Sequence, residues 1–151
     1  MDRSEDQKMI IELKSEKEIL AVLDQFTPDL YTLASGVVDK KKMTEKFAKF
    51  ATVIAVAENG GIVGFSAFYS NDREQRTAYL SLIAVDRNSR SGGIGKILIN
   101  ETVRRSKERG MERLTLEVRK ENLSAIGFYR HLGFSVCGEN AESSFMTMVF
   151  D

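Results

Sequence analysis

Between Thr77 and Arg109 the chain changes its hydrophobic period inside one glycine-rich stretch, and few folds admit that change. Tyr79 to Val85 is apolar at nearly every position, the pattern of a central strand covered on both faces. From Gly95 to Arg109, Ile97, Leu98, Ile99 and Val103 read as an amphipathic helix, with Lys107 and Arg109 in its last turn and Gly110 after it. The join, Val85 to Gly95, reads Val-Asp-Arg-Asn-Ser-Arg-Ser-Gly-Gly-Ile-Gly. Glycines at such a turn let backbone N–H groups converge without side-chain obstruction. The helix start adds unpaired N–H groups and a partial positive charge. Together they suit a phosphate or pyrophosphate, to which Arg90 adds a guanidinium fork. The plainer alternative is a turn whose glycines only satisfy geometry. A P-loop needs Gly at Arg90 and Ser or Thr at Ile97, and a dinucleotide fingerprint needs a small residue at Leu98, so both are excluded.

The flanking sequence predicts a strand over Met9–Leu13, a helix over Glu16–Gln25 capped by Ser15 and Glu18, and a helix over Asp39–Phe50. Leu30 to Val38 fits no period and reads as loop. Thr52–Ala57 and Ile62–Tyr69 form a hairpin about Asn59-Gly60-Gly61, and a polar turn at Asn71–Gln75 leads to the strand Thr77–Val85. Arg113–Val118 is a strand with Leu114, Leu116 and Val118 on one face and Thr115 and Glu117 on the other. Asn122 caps a helix that Gly133 ends, and Phe134–Cys137 and Ser144–Phe150 are the last strands. Cys137, beside Phe134 and Val136, reads as a small core residue. The final strand is expected to leave an edge with which a second copy could pair in a homodimer. One α/β domain over residues 1–151 is expected, a mixed sheet with helices packed on it.

Charge narrows the partners. The chain has 151 residues, 22 Lys+Arg against 22 Asp+Glu, and so no net charge to steer it to nucleic acid. No apolar run reaches the roughly 18 residues of a membrane span. No apolar leader core follows Met1, and Cys137 has no cysteine to pair with, so a cytoplasmic location is expected. A single histidine, His131, leaves no histidine-rich metal set.

Arg90-Ser91-Gly92-Gly93-Ile94-Gly95 resembles the Arg/Gln-x-x-Gly-x-Gly/Ala signature of the GCN5-related N-acetyltransferases, the GNAT family. Leu116-Glu117-Val118-Arg119, then Asn122, Ala125, Tyr129 and Gly133-Phe134, resemble the family's second block in order and spacing. The likeness spans about Thr77 to Phe134. It implies a twisted, mostly antiparallel mixed sheet of six or seven strands flanked by about four helices. It implies that Arg90, Ser91, Gly92, Gly93, Ile94, Gly95 and Lys96 bind the pyrophosphate of acetyl-CoA. The pantetheine arm would pair with the backbone of Ile83, Ala84 and Val85, which requires the strands on either side of it to splay. Asn122 matches a position touching that arm, or is simply a helix cap.

The reaction implied is direct acetyl transfer to a primary amine, on a small molecule, a protein N-terminus or a lysine, without a metal. Tyr129 stands at the family's acid position; a phenol with a pKa near 10 stays protonated to serve a leaving thiolate. Its alternative is a packed helical tyrosine. Glu117 resembles the base of the subgroup that acetylates ribosomal-protein N-termini; its alternative is pairing with Arg113 or Arg119. A non-catalytic acyl-CoA-binding module of the same fold is the competing function.

Overall fold

The computed structural model describes residues 8–27 and 39–151, and the side chains of Arg90 and Ser91 lie outside that description. The segment read as loop, Leu30 to Val38, also falls outside it. Seven strands form one sheet in the order β1-β2-β3-β4-β5-β7-β6. These are β1 (Lys8–Glu12), β2 (Thr52–Glu58), β3 (Gly61–Tyr69), β4 (Thr77–Val85), β5 (Arg113–Arg119), β6 (Ser135–Glu139) and β7 (Ser143–Val149). All neighbours are antiparallel except β4 and β5. The α-helices among the described residues are α1 (Glu16–Gln25), α2 (Lys40–Phe50), α3 (Ile94–Glu108) and α4 (Leu123–His131).

Local chemistry explains the boundaries. Ser15 Oγ accepts from the Glu18 N–H while the Glu18 carboxylate accepts from the Ser15 N–H, closing a capping box on α1. Asp39 caps α2 by accepting from the Lys42 N–H at 3.1 Å. The crossover from β4 through α3 to β5 returns the chain beside its starting strand, which is why that one pair is parallel.

Two apolar layers sit on opposite faces of the sheet. Ile54, Phe68, Leu80, Leu114, Leu116 and Met146 pack under α3 and α4, with Leu98 of α3 in the same cluster. Val53, Ala55, Phe65, Ala67 and Leu82 pack under α1 and α2. Residue 81 is the extra one in the β3–β4 ladder, where Ala67 faces Leu82 but Phe68 faces Leu80. This bulge sends Leu80 and Leu82 to different layers although both lie at even spacing.

Two expectations need correction. The edge at this end of the sheet is β6, not the final strand, because β7 inserts between β5 and β6. Cys137 is exposed rather than in the core: β6 is open along its length, and the thiol reaches the Phe145 carbonyl at 3.4 Å. Short apolar alternation on an edge strand has no second layer to cover it. No described helix is long and apolar enough to cross a membrane.

Candidate active site

The parallel pair β4–β5 is laddered only from Thr77–Arg113 to Leu80–Leu116. Beyond that rung β4 runs on to Val85 and β5 to Arg119 without pairing, so the two strands part. Ile83, Ala84 and Val85 lie on the unladdered stretch, held by β3 on their other side. Asp86 fixes the end of β4: its N–H donates to Val63 O at 2.8 Å and its carboxylate accepts from the Asn88 N–H at 2.9 Å.

The chain then makes a 3-10 turn over Arg87–Gly92, where the sequence reading had only a loop. Gly93 follows at φ 75°, in the left-handed region that glycine enters without strain, and starts α3. No side chain caps α3, so its first N–H groups keep their unpaired, partly positive character. A Cβ at Gly92 or Gly93 would meet nothing within 4 Å, so the outer side of the turn is open. At Gly95 a Cβ would lie 2.9 Å from the Phe128 ring, and its absence lets α4 close against the start of α3. Ile94 is fully buried and anchors the turn, whereas Lys96 is exposed.

Asn122 caps α4, its side-chain oxygen accepting from the Ala125 N–H at 3.1 Å. Tyr129 on α4 is 8% exposed and shares the α3-side layer with Leu80, Leu116 and Val118, which bound the parting. Its ring lies between Phe128 at 5.4 Å and Phe134 at 5.5 Å, and burial pushes its phenol up to about 12. Glu117 is on β5 on the opposite face of the sheet, half-buried. Arg113 donates to Gln75 O and Thr77 Oγ1, and Arg119 pairs with Glu121.

Glu117 has a neighbour that sequence reasoning missed. Tyr79 has its phenol raised by burial and then by the Glu117 carboxylate. Its alternation with Ala78 and Leu80 was legible, but the rung that sets it opposite Thr115 was not. Among the described residues no group of three His, Cys, Asp or Glu side chains converges as a metal site would.

A mixed sheet parted at its one parallel junction, with an uncapped glycine-led helix at the wide end, is the architecture of a GNAT-type α/β protein. The chain belongs to the acetyltransferase (GNAT) family, whose model matches residues 19–134. It is 37% identical over 87 residues to a streptothricin acetyltransferase of Streptomyces lavendulae, covering 58% of this chain and 46% of that protein. The matched stretch spans between 17% and 60% of the four curated relatives' lengths. Among solved structures it resembles the ribosomal-protein-S18-alanine N-acetyltransferase of Escherichia coli, with a TM-score of 0.77 at 20% identity over 95% of this chain and 94% of that one. It also resembles the PaiA N-acetyltransferase of Thermoplasma acidophilum, solved in complex with coenzyme A, with a TM-score of 0.79 at 17% identity over 95% and 99% of the two chains.

Proposed function

We propose that the chain transfers the acetyl group of acetyl-CoA to a primary amine by direct attack. The observation that carries this reading is the parting of β4 and β5 directly before the uncapped start of α3. The residues fit the cosubstrate on two counts. The unladdered backbone at Ile83, Ala84 and Val85 offers an extended arm a strand to pair with. The Gly92-Gly93 turn offers an anion unobstructed N–H groups, with Ile94, Gly95 and Lys96 in the same turn. Arg90, Ser91 and Asn122 complete the binding set by resemblance to the family.

Bound acetyl-CoA supplies an activated thioester; this chain's residues bind it, orient it and handle two protons. In this reading Glu117 takes the proton of the attacking amine on one face of the sheet. An amine with a pKa near 10.4 is mostly protonated at pH 7, so some such acceptor is required. Tyr129, on the other face, holds a proton for the departing sulfur. Its raised pKa keeps the phenol protonated across the physiological range, so a proton is available there. Opposite faces give amine and thiolate separate approaches, which supports attack without a covalent enzyme intermediate.

The test is release of CoA thiol from acetyl-CoA with a panel of primary amines, alongside thermal stabilisation by acetyl-CoA alone. Amine-dependent thiol release is expected. Stabilisation without thiol release for any amine would make the chain an acyl-CoA-binding module instead.

A further inference from the structure

Gly64 stands in the interior of β3, where a glycine weakens a strand and often marks a bulge or a close approach of neighbouring atoms. Both hold here. Val56 pairs with Gly64 but Ala57 pairs with Ile62, so Val63 is the extra residue of a bulge immediately before Gly64. Gly64 is also the last residue of β3 laddered to β4, opposite Val85. A Cβ on it would lie 2.8 Å from Ile94 Cγ2, 3.0 Å from the Ala84 carbonyl oxygen and 3.2 Å from Leu98 Cδ1. None of these has room to retreat: Ile94 and Leu98 are at most 1% exposed, and the oxygen belongs to the backbone of β4.

Val63 and Gly64 hold both ends of the turn that leads from β4 into α3. The turn departs at Asp86, whose N–H donates to Val63 O at 2.8 Å, and returns at Ile94, whose side chain rests on Gly64. Farther along, Ser66 Oγ meets Thr102 Oγ1 at 3.0 Å, and Arg109 donates to Ser70 Oγ at 2.9 Å. α3 thus follows β3 past Gly64, Ser66 and Ser70, and at its first turn it sits as low as a missing side chain allows. The same stretch of β3 carries Val85, Ala84 and Ile83, which pair with Gly64, Phe65 and Ser66. One short segment therefore fixes the span between the backbone offered to an extended arm and the N–H groups offered to an anion. A methyl group at residue 64 would press first on Ile94. β4 is held by its ladder to β3, so the start of α3 is what gives.

We propose that Val63 and Gly64 are positioning residues for donor recognition: they hold the turn at the depth where an arm paired with Ile83, Ala84 and Val85 brings its diphosphate to the start of α3. The inference rests on the acetyl-transfer reading and names what makes that site select a donor carrying a diphosphate. Each residue acts through another, Val63 through Asp86 and Gly64 through Ile94. Misplacing the turn by a fraction of an ångström lengthens the N–H contacts to the anion and leaves the strand that pairs with the arm in place.

The test compares the dissociation constants of acetyl-CoA and of S-acetyl-pantetheine, which carries the same arm without the diphosphate, so no acceptor is needed. The wild-type chain should bind acetyl-CoA the more tightly. Gly64→Ala should cut the ratio of the two affinities about tenfold, by weakening acetyl-CoA while S-acetyl-pantetheine is unmoved. A packing role alone would weaken both together. Asp86→Pro tests the other hold away from the core. The φ at residue 86 is −53°, which proline adopts, but its missing N–H removes the bond to Val63 O. It should cut the ratio below that of Asp86→Ala, which removes only the carboxylate bond to the Asn88 N–H. If Gly64→Ala does not fold, the two Asp86 variants decide. An unchanged ratio in Gly64→Ala, proportional weakening of both donors, or equal ratios in Asp86→Pro and Asp86→Ala would overturn the proposal. So would a wild-type chain that binds the two donors equally. A wild-type chain that neither binds acetyl-CoA nor releases its thiol would instead defeat the underlying acetyl-transfer reading, and this inference with it.

Discussion

The two faces of β4, β5 and β7 come from the same strands and carry opposite chemistry. Under α3 and α4 lie Leu80, Leu114, Leu116 and Met146, all at most 4% exposed, with Tyr129 sealed among them. On the other face lie Tyr79, Thr115, Glu117 and Thr147, none of them fully buried. A phenol on the dry face is raised to about 12 by burial alone; one on the open face is raised by burial together with a neighbouring carboxylate. Period-2 geometry lets one strand present a packed apolar side and a polar, partly exposed side.

The contrast is sharpest in stability. Leu116→Ala should cost about 2–5 kcal/mol by chemical denaturation, because it opens a cavity under α3. Thr147→Val, one strand away on the open face, should cost nothing; a comparable loss there would break the comparison. The next effect is catalytic. Tyr129→Phe should keep acetyl-CoA affinity by calorimetry while lowering kcat about a hundredfold, roughly 2.7 kcal/mol of barrier. Unchanged turnover would return Tyr129 to a purely packing role.

Smaller effects test each side further. Glu117→Gln should slow turnover about tenfold and alter the pH–rate profile; a superimposable profile removes Glu117 as the base. Farther from the site, hydrogen bonds from Arg104 and then Arg105 hold the Glu101 carboxyl down at about 2. Arg105 also reaches Glu12 at 2.7 Å, tying α3 to β1. Since the folded value lies below the usual 4.5, this stability is complete above about that pH and is lost as pH falls toward 2. Glu101→Gln should cost about 1 kcal/mol at pH 7, less than the shift alone suggests because solvent screens Arg104, and little at pH 2. Smallest of all, Gly127→Ala should raise stability by about 0.5–1 kcal/mol, because a Cβ there meets nothing within 4 Å.

Much of this arrangement was legible before any coordinate. Ser15 with Glu18, and Asn122, cap the helices expected of them because capping is local, whereas Asp39, read as the first helical residue, is the cap instead. α3 begins at Ile94, one residue before the expected Gly95, with Gly93 in the left-handed region that glycine enters without strain just ahead of it. Thr115 and Glu117 fall opposite Leu114 and Leu116 because alternation is a property of the strand alone. Cys137 was misread because alternation says which side a residue faces and not whether anything covers that side. The bulge at residue 81 was invisible for a related reason: it is defined by the partner strand.

The strand–turn–helix unit, the element order and the polar side of β5 were readable from the residues alone. Each follows from interactions within a few residues, where propensity, capping and period act. That β7 lies between β5 and β6, and that β4 and β5 part after Leu80 and Leu116, emerged with the assembled sheet. Register is set by how distant strands bury their apolar faces together, so no single strand carries the information.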